Sequence, residues 1–210
     1  YVIWQKLIED AGGVNVTSLD ELTNVAMLLN YKKYMIGESL ALITMTGGQS
    51  VAITDAFEDQ GFVIPQLTRQ SYKKLSDFFN VIGGSYRNPF DAGSTIGNDV
   101  DNLQKILKII GKDKNITGSL VIDMNTRIYT ESKKQYIQFL DALNQFKATY
   151  KMPVIIVIHA LTSTIMMTDN ENITREAVSR EVTQLAVDRG LPVFTSFNAA
   201  ARAMRLSVSH

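Results

Sequence analysis

The residues best suited to chemistry in this 210-residue chain are Thr46-Gly47-Gly48-Gln49-Ser50, and the chemistry they suit is the binding of an anion. They follow the apolar run ESLALITM (38–45) and precede VAITDAFEDQG (51–61), where Val51, Ile53, Ala56 and Phe57 are spaced to share one side of a helix. A strand that enters a helix through paired glycines leaves amide N–H groups without partners at the helix start. Those amides, with the positive end of the helix dipole, attract negative charge. Gly47 and Gly48 are expected to let the backbone turn sharply, and Gln49 and Ser50 to open the helix. Gly47, Gly48, Gln49, Ser50 and Val51 are therefore the candidate anion site. The pattern matches neither GxGxxG nor GxxxxGK[ST], and from the glycines alone a tight turn without a ligand reads the same way.

Other chemistry-bearing residues are few. There are two histidines. His159 follows the apolar run PVIIVI at its carboxyl end, a position that faces ligands in open α/β sheets, although packing or a loop hydrogen bond is the reading to expect first. His210 ends the chain. Asp55, Asp91 and Asp123 are the carboxylates of interest. Asp55 falls in the helix after Ser50, Asp91 in a loop where an Asx-type bond to nearby backbone is the default, and Asp123 at the end of LVID, where it could line a cleft. No pair has a spacing that demands acid–base work and no cluster has metal-ligand spacing, so no catalytic or metal-ligating residue is assigned. Met166, Met167, Phe78 and Phe79 read as packing residues.

The elements that position these residues alternate. Strands are expected near 39–45, 62–66, 118–124, 153–159 and 191–195, with helices near 49–60, 69–80, 98–110, 131–149, 172–189 and 197–206. The runs LVIDM and VIIVI are continuously apolar, as strands covered on both faces of a parallel sheet are. This predicts a three-layer, flavodoxin-like, doubly wound α/β domain over 38–210, with strand order 2-1-3-4-5 and the GGQS turn at the carboxyl edge. A short helical segment precedes it over 1–37: an apolar stripe of Val2, Ile3, Leu7 and Ile8, then a Ser18–Glu21 capping box opening LDELTNVAMLLN. Residues 1–30 are expected to dock on the main domain or on a second copy of the chain rather than to fold independently. One stretch breaks the alternation: VIGGSYRNPFDAGSTIGND (81–99) carries no evident strand and reads as a long structured loop, functional or merely connecting.

Composition excludes several classes. Twenty-one basic residues balance 21 acidic ones, so no field favours nucleic acid or an anionic membrane. The absence of cysteine removes disulfides and thiolate metal sites and is compatible with a cytoplasmic protein. The longest apolar run, MPVIIVIHAL (152–161), is too short to span a bilayer. Tyr1 falls inside an apparent helix, and the chain reads as a piece of something longer.

Four stretches, in order, resemble the NDP-forming acyl-CoA synthetases, relatives of the succinyl-CoA synthetases. YVIWQKLIEDAGGVNVTSLDELTNVAMLL is similar to the close of that family's second domain. TGGQSVAITDAFEDQGFVIPQLT resembles the Gly-Gly loop, AxxDA helix and GLxxPxL strand that start its next domain. YRNPFDAG resembles the xNPxDxG loop, and LPVFTSFNAAARAM the terminal strand and helix. The resemblance implies a succinyl-CoA synthetase-type domain from an enzyme that interconverts acyl-CoA, NDP and phosphate with acid, CoA and NTP through acyl phosphate and phosphohistidine. It implies that Gly47–Val51 hold phosphate or the phosphohistidine, that Asn88 and Asp91 support the turn, with Asn88 bonded to its backbone, and that Asp55 braces the neighbouring loop. The CoA-binding domain, the histidine-bearing domain and the ATP-grasp module are the implied partners, and CoA, ADP or ATP and magnesium the parent's cofactors. No ligase activity is expected of this chain alone. The same modules occur in protein lysine acetyltransferases, and a flavin- or nucleotide-binding module is the alternative from another class.

Overall fold

The computed structural model describes residues 2–31, 37–97, 99–124, 133–159 and 170–208. Its frame is a five-stranded, all-parallel sheet of β1 (Ala41–Thr44), β2 (Phe90–Asp91), β3 (Leu120–Asp123), β4 (Val154–Val157) and β5 (Val193–Phe194), in the order β2-β1-β3-β4-β5. Parallel pairing requires crossovers, and the helices between strands supply them and cover both faces.

Side chains of successive strand residues point to opposite faces, so each strand serves two cores. Ala41, Ile43, Leu120, Ile122, Val154 and Ile156 face one core, with α6 (Val100–Ile110), α7 (Lys133–Tyr150) and α8 (Asn170–Asp188) over it. Leu40, Leu42, Val121, Ile155 and Val157 face the other, covered by α3 (Gly47–Glu58) and α9 (Phe197–Val208). In α3 the buried apolar residues are Ile53, Ala56 and Phe57, whereas Val51 is exposed, because two residues before Ile53 is the opposite side of a helix.

The opening segment forms α1 (Val2–Asp10) and α2 (Leu19–Tyr31). The second joins the α3/α9 side: Val25 and Leu28 are buried in that core, and Glu21 meets Arg202 of α9 at 2.7 Å. At its start Ser18 Oγ accepts the Glu21 N–H at 3.1 Å. The Glu21 carboxylate bonds the N–H and the hydroxyl of Thr17, so the reciprocal half of the capping box lies one residue earlier than the pattern predicts.

The second strand differs from expectation. The stretch 62–66 pairs with the sheet only through a parallel bridge between Val63 and Ser39, and the strand proper is Phe90–Asp91, inside the stretch expected to be a loop. The reason is Pro65, which has no N–H to continue the ladder past Val63. The chain leaves into α4 (Arg69–Ser76) and returns through Asn88, and a two-residue strand is too short to leave a periodic signature. Phe79, against Tyr86 and Phe90, is a packing residue as expected, and Phe78 lies partly buried under Lys105. Met166, Met167 and His210 lie outside the described residues.

Candidate functional site

At the carboxyl edge of β1 the chain passes through Met45 to Thr46, which is extended (φ −151°, ψ 153°) and caps α3. Its hydroxyl accepts the Gln49 N–H at 3.3 Å and donates to Gln49 Oε1 at 3.0 Å. The helix therefore begins at Gly47 rather than Gln49. The turn is made by Thr46, and neither Gly47 nor Gly48 has a positive φ. Both glycines are exposed, and among the described residues no hydrogen bond reaches their amides. A Cβ on Gly48 would meet nothing within 4 Å. These two donors, at the positive end of a twelve-residue helix, are what the edge offers an anion.

The other three residues of the stretch lie differently. The Ser50 N–H is spent on Thr46 O at 3.0 Å, and its buried hydroxyl meets Thr44 Oγ1 at 2.6 Å, which ties the helix down to β1. Gln49 folds back on Thr46, and Val51 lies one turn into the helix with its side chain outward.

Asp91, the last residue of β2, stands beside this turn. Its Oδ2 would be 3.3 Å from a Cβ on Gly47, and its carboxylate accepts the Gly93 N–H, while Oδ1 is buried with no partner among the described residues. Burial pushes its pKa up, against the Gly93 bond that lowers it. The following helix, α5 (Gly93–Ile96), starts so close to the end of β1 that a Cβ on Gly93 would fall on the Met45 carbonyl. Asn88 does not touch the turn. Its carboxamide accepts the Leu42 N–H at 2.9 Å and donates to Leu40 O at 2.8 Å and Pro65 O at 2.9 Å, so it holds the middle of β1 instead. The support expected of Asn88 at the turn comes from Asp91 and Ser50. Asp55 is exposed, further along α3.

The carboxyl ends of β3 and β4 bring together a pair that spacing in the chain does not reveal. Asp123, 1% exposed, places Oδ1 3.8 Å from His159 Nε2, and among the described residues its Oδ2 has no partner. The His159 ring stands edge-on to Phe197, the first residue of α9, at 4.4 Å. Burial pushes the Asp123 pKa up to about 7 and pushes that of His159 down. The signal was in the register: Asp123 pairs with Val157 on the neighbouring strand, two residues before His159. Among the described residues no group of three His, Cys, Asp or Glu side chains could hold a metal ion.

The chain and its fold have counterparts among known proteins. The sequence is similar to an ADP-forming acetate–CoA ligase. That protein, acetate–CoA ligase [ADP-forming] I of Archaeoglobus fulgidus, is 27% identical over 123 residues, which is 58% of this chain and 17% of the relative. No family model matches the chain. Of solved structures, PH0766 from Pyrococcus horikoshii OT3 superposes with a TM-score of 0.78 at 18% identity, over 100% of this chain and 43% of that one. The dinucleotide forming acetyl-coenzyme A synthetase 1 of Ca. Korarchaeum cryptofilum superposes at 0.73 in its apo form, with 15% identity, over 99% and 41%. Its complex with phosphate and ADP gives 0.73, 16% identity, and 99% and 40%. The fold is shared along essentially the whole chain. In every case this chain spans less than half of the relative.

Proposed function

We propose that this chain is the phosphate-handling module of an NDP-forming acyl-CoA synthetase, in which an acyl-CoA, phosphate and a nucleoside diphosphate are exchanged for acid, CoA and a nucleoside triphosphate. The observation that carries the reading is the pair of open amides at Gly47 and Gly48, at the carboxyl edge of a sheet whose chain is similar to an ADP-forming ligase. Backbone amides and a helix dipole stabilise a phosphoryl group without adding a titratable side chain that would compete for its proton. The chain's own residues bind and orient phosphate or a phosphohistidine. The histidine, the CoA site and the nucleotide site with its magnesium belong in this reading to other modules of the enzyme.

Titration with inorganic phosphate tests it. The amide signals of Gly47 and Gly48 are expected to move together while those in the body of α3 stay put. Signals that do not respond, both in this chain and in a full-length synthetase carrying it, would overturn the assignment.

A further inference from the structure

Two buried side-chain oxygens lack a partner among the described residues, and both lie at the carboxyl edge: Asp91 Oδ1 and Asp123 Oδ2. The register explains why they belong to one place. Thr44 of β1 pairs with Asp91 on one side, and Ile43 pairs with Ile122 on the other, so Asp123 stands level with Thr44 across the adjacent strand. Asp123 follows Val121 by two residues and so shares its face, the face covered by α3 and α9. The first turns of both helices lie at this edge: Ser50 of α3 meets Thr44 at 2.6 Å, and Phe197 of α9 stands against His159. Asp123 is thus a buried carboxyl on the face that α3 and α9 cover, with one oxygen 3.8 Å from an imidazole whose side chain is 42% exposed and the other without a partner among the described residues.

A buried carboxylate with an unsatisfied oxygen is costly, and a proton on the carboxyl or on the nearby imidazole relieves that cost. We infer that Asp123 and His159 share a single proton at neutral pH, and that this pair sets the charge presented to an anion between the N-termini of α3 and α9. The proton resides either on an Asp123 carboxyl oxygen or on His159 Nε2. At 3.8 Å the two do not hydrogen-bond directly, so it passes between them by exchange with solvent at the exposed ring, and no other bond changes. With two protons the pair is cationic, with one it is neutral, and with none it is an anion beside an anion site. Burial pushes the carboxylic acid up and the imidazole down, which brings the two titrations together.

Little else in the described surroundings is charged. β1, β4 and β5 carry no ionisable residue, and neither do α3 from Gly47 to Thr54 nor α9 from Phe197 to Ala201. Asp91 on β2 is the nearest carboxylate along the row. Asp55 is exposed further along α3, and Arg202 on α9 is paired with Glu21. The inference rests on the phosphate reading for its anion and on the Asp123–His159 contact for its proton, and the two are tested apart.

For the proton, the ring signals of His159 are followed by NMR through pH 5–9 in the wild type and in Asp123→Asn. The wild type is expected to titrate in two overlapping steps, and the variant in one step displaced to lower pH. A single step at the same pH in both would overturn the pairing. For the anion, sulfate is the probe, because it does not itself titrate in this range. Its affinity for the wild type is expected to fall severalfold from pH 6 to pH 8, and to stay level in Asp123→Asn/His159→Gln. Sulfate affinity that ignores pH in the wild type would overturn the link to the anion. Failure of sulfate to bind at any pH would count against the phosphate reading, and the ring titration would still decide the pair.

Discussion

The side-chain amide of Asn88 stands in the β1 ladder where Pro65 has no N–H to give. Past Val63, the next donor to Leu40 O would come from residue 65, and Asn88 Nδ2 supplies it at 2.8 Å. The same nitrogen donates to Pro65 O at 2.9 Å, and Oδ1 accepts the Leu42 N–H that would otherwise go to residue 65. One carboxamide, 1% exposed, replaces a residue of strand.

Asn88→Ala is therefore expected to strand the Leu42 N–H and the Leu40 carbonyl inside the protein. Each buried group left unpaired costs about 1–3 kcal/mol, so the variant should lose roughly 3 kcal/mol or more. Urea unfolding measures this. A loss of about 0.5 kcal/mol or less would mean that water replaces the amide.

Gly47→Pro separates the anion site from the helix. The first position of a helix tolerates proline, and the extended Thr46 before it already has the backbone a proline asks of its predecessor. The variant should keep its helical circular dichroism. In a full-length synthetase it should lower phosphoryl transfer by about a hundredfold to a thousandfold, the usual cost of one oxyanion donor. Unchanged transfer would show that this amide is not used.

Gly48→Ala has the opposite expectation for stability. Open space surrounds a Cβ there and the backbone is already helical, so the change should stabilise the chain by up to about 1 kcal/mol. A rise in Tm checks it. If phosphate binding weakens while Tm rises, the space above Gly48 is where the anion sits.

Gly93→Ala should be the most damaging of the glycine changes, because its Cβ would fall on the Met45 carbonyl and backbone would have to move. Overpacking of this kind costs about 1–3 kcal/mol, which lowers Tm by roughly 2–12 °C in a chain of this size. A Tm equal to that of the wild type would show that the start of α5 shifts freely.

Asp123 makes stability depend on pH. Its folded pKa of about 7 lies above the ordinary aspartate value of 3.8, so between the two the folded state holds a proton that the unfolded state has lost. The contribution of this group to stability is then expected to fall as pH rises from about 4 to about 7 and to level off above, while His159, pushed down by burial, adds a contribution of opposite slope below its ordinary 6.5. Asp123→Asn should flatten that part of the profile, with the difference at pH 8 of the order of a few kcal/mol at most. Equal slopes in thermal melts of the two proteins would refute the assignment.

The alternation of apolar runs with helical stripes was enough to read a parallel α/β sheet and the place of the GGQS turn. LVID and VIIV are apolar at every position until Asp123, and only burial on both faces makes a strand look like that. The second strand was not legible, because its place beside β1 is filled by a bridge at Val63, a side chain at Asn88 and two residues at 90–91, none long enough to show a period of two. The role of Asn88 was misplaced for the same reason: a side chain acting as backbone has no signature of its own. The paired glycines read as the turn itself and set the helix start two residues late, whereas Thr46 before them makes the turn and caps the helix. The approach of Asp123 to His159 depends on strand register, which spacing along the chain does not encode.

The tapering of the sheet has a consequence for how this protein behaves among copies of itself. β2 and β5 are the outer strands, and each is two residues long, while the three strands between them have four. A stray strand laid along either margin would find a rung or two of hydrogen bonding before the backbone turns away, and on the β2 side the run is broken further by the Asn88 amide and by proline. A parallel sheet with long flat margins is a template for stacking end on end. This one closes off both of its own margins and should stay dispersed at concentrations where an untapered sheet would recruit neighbours.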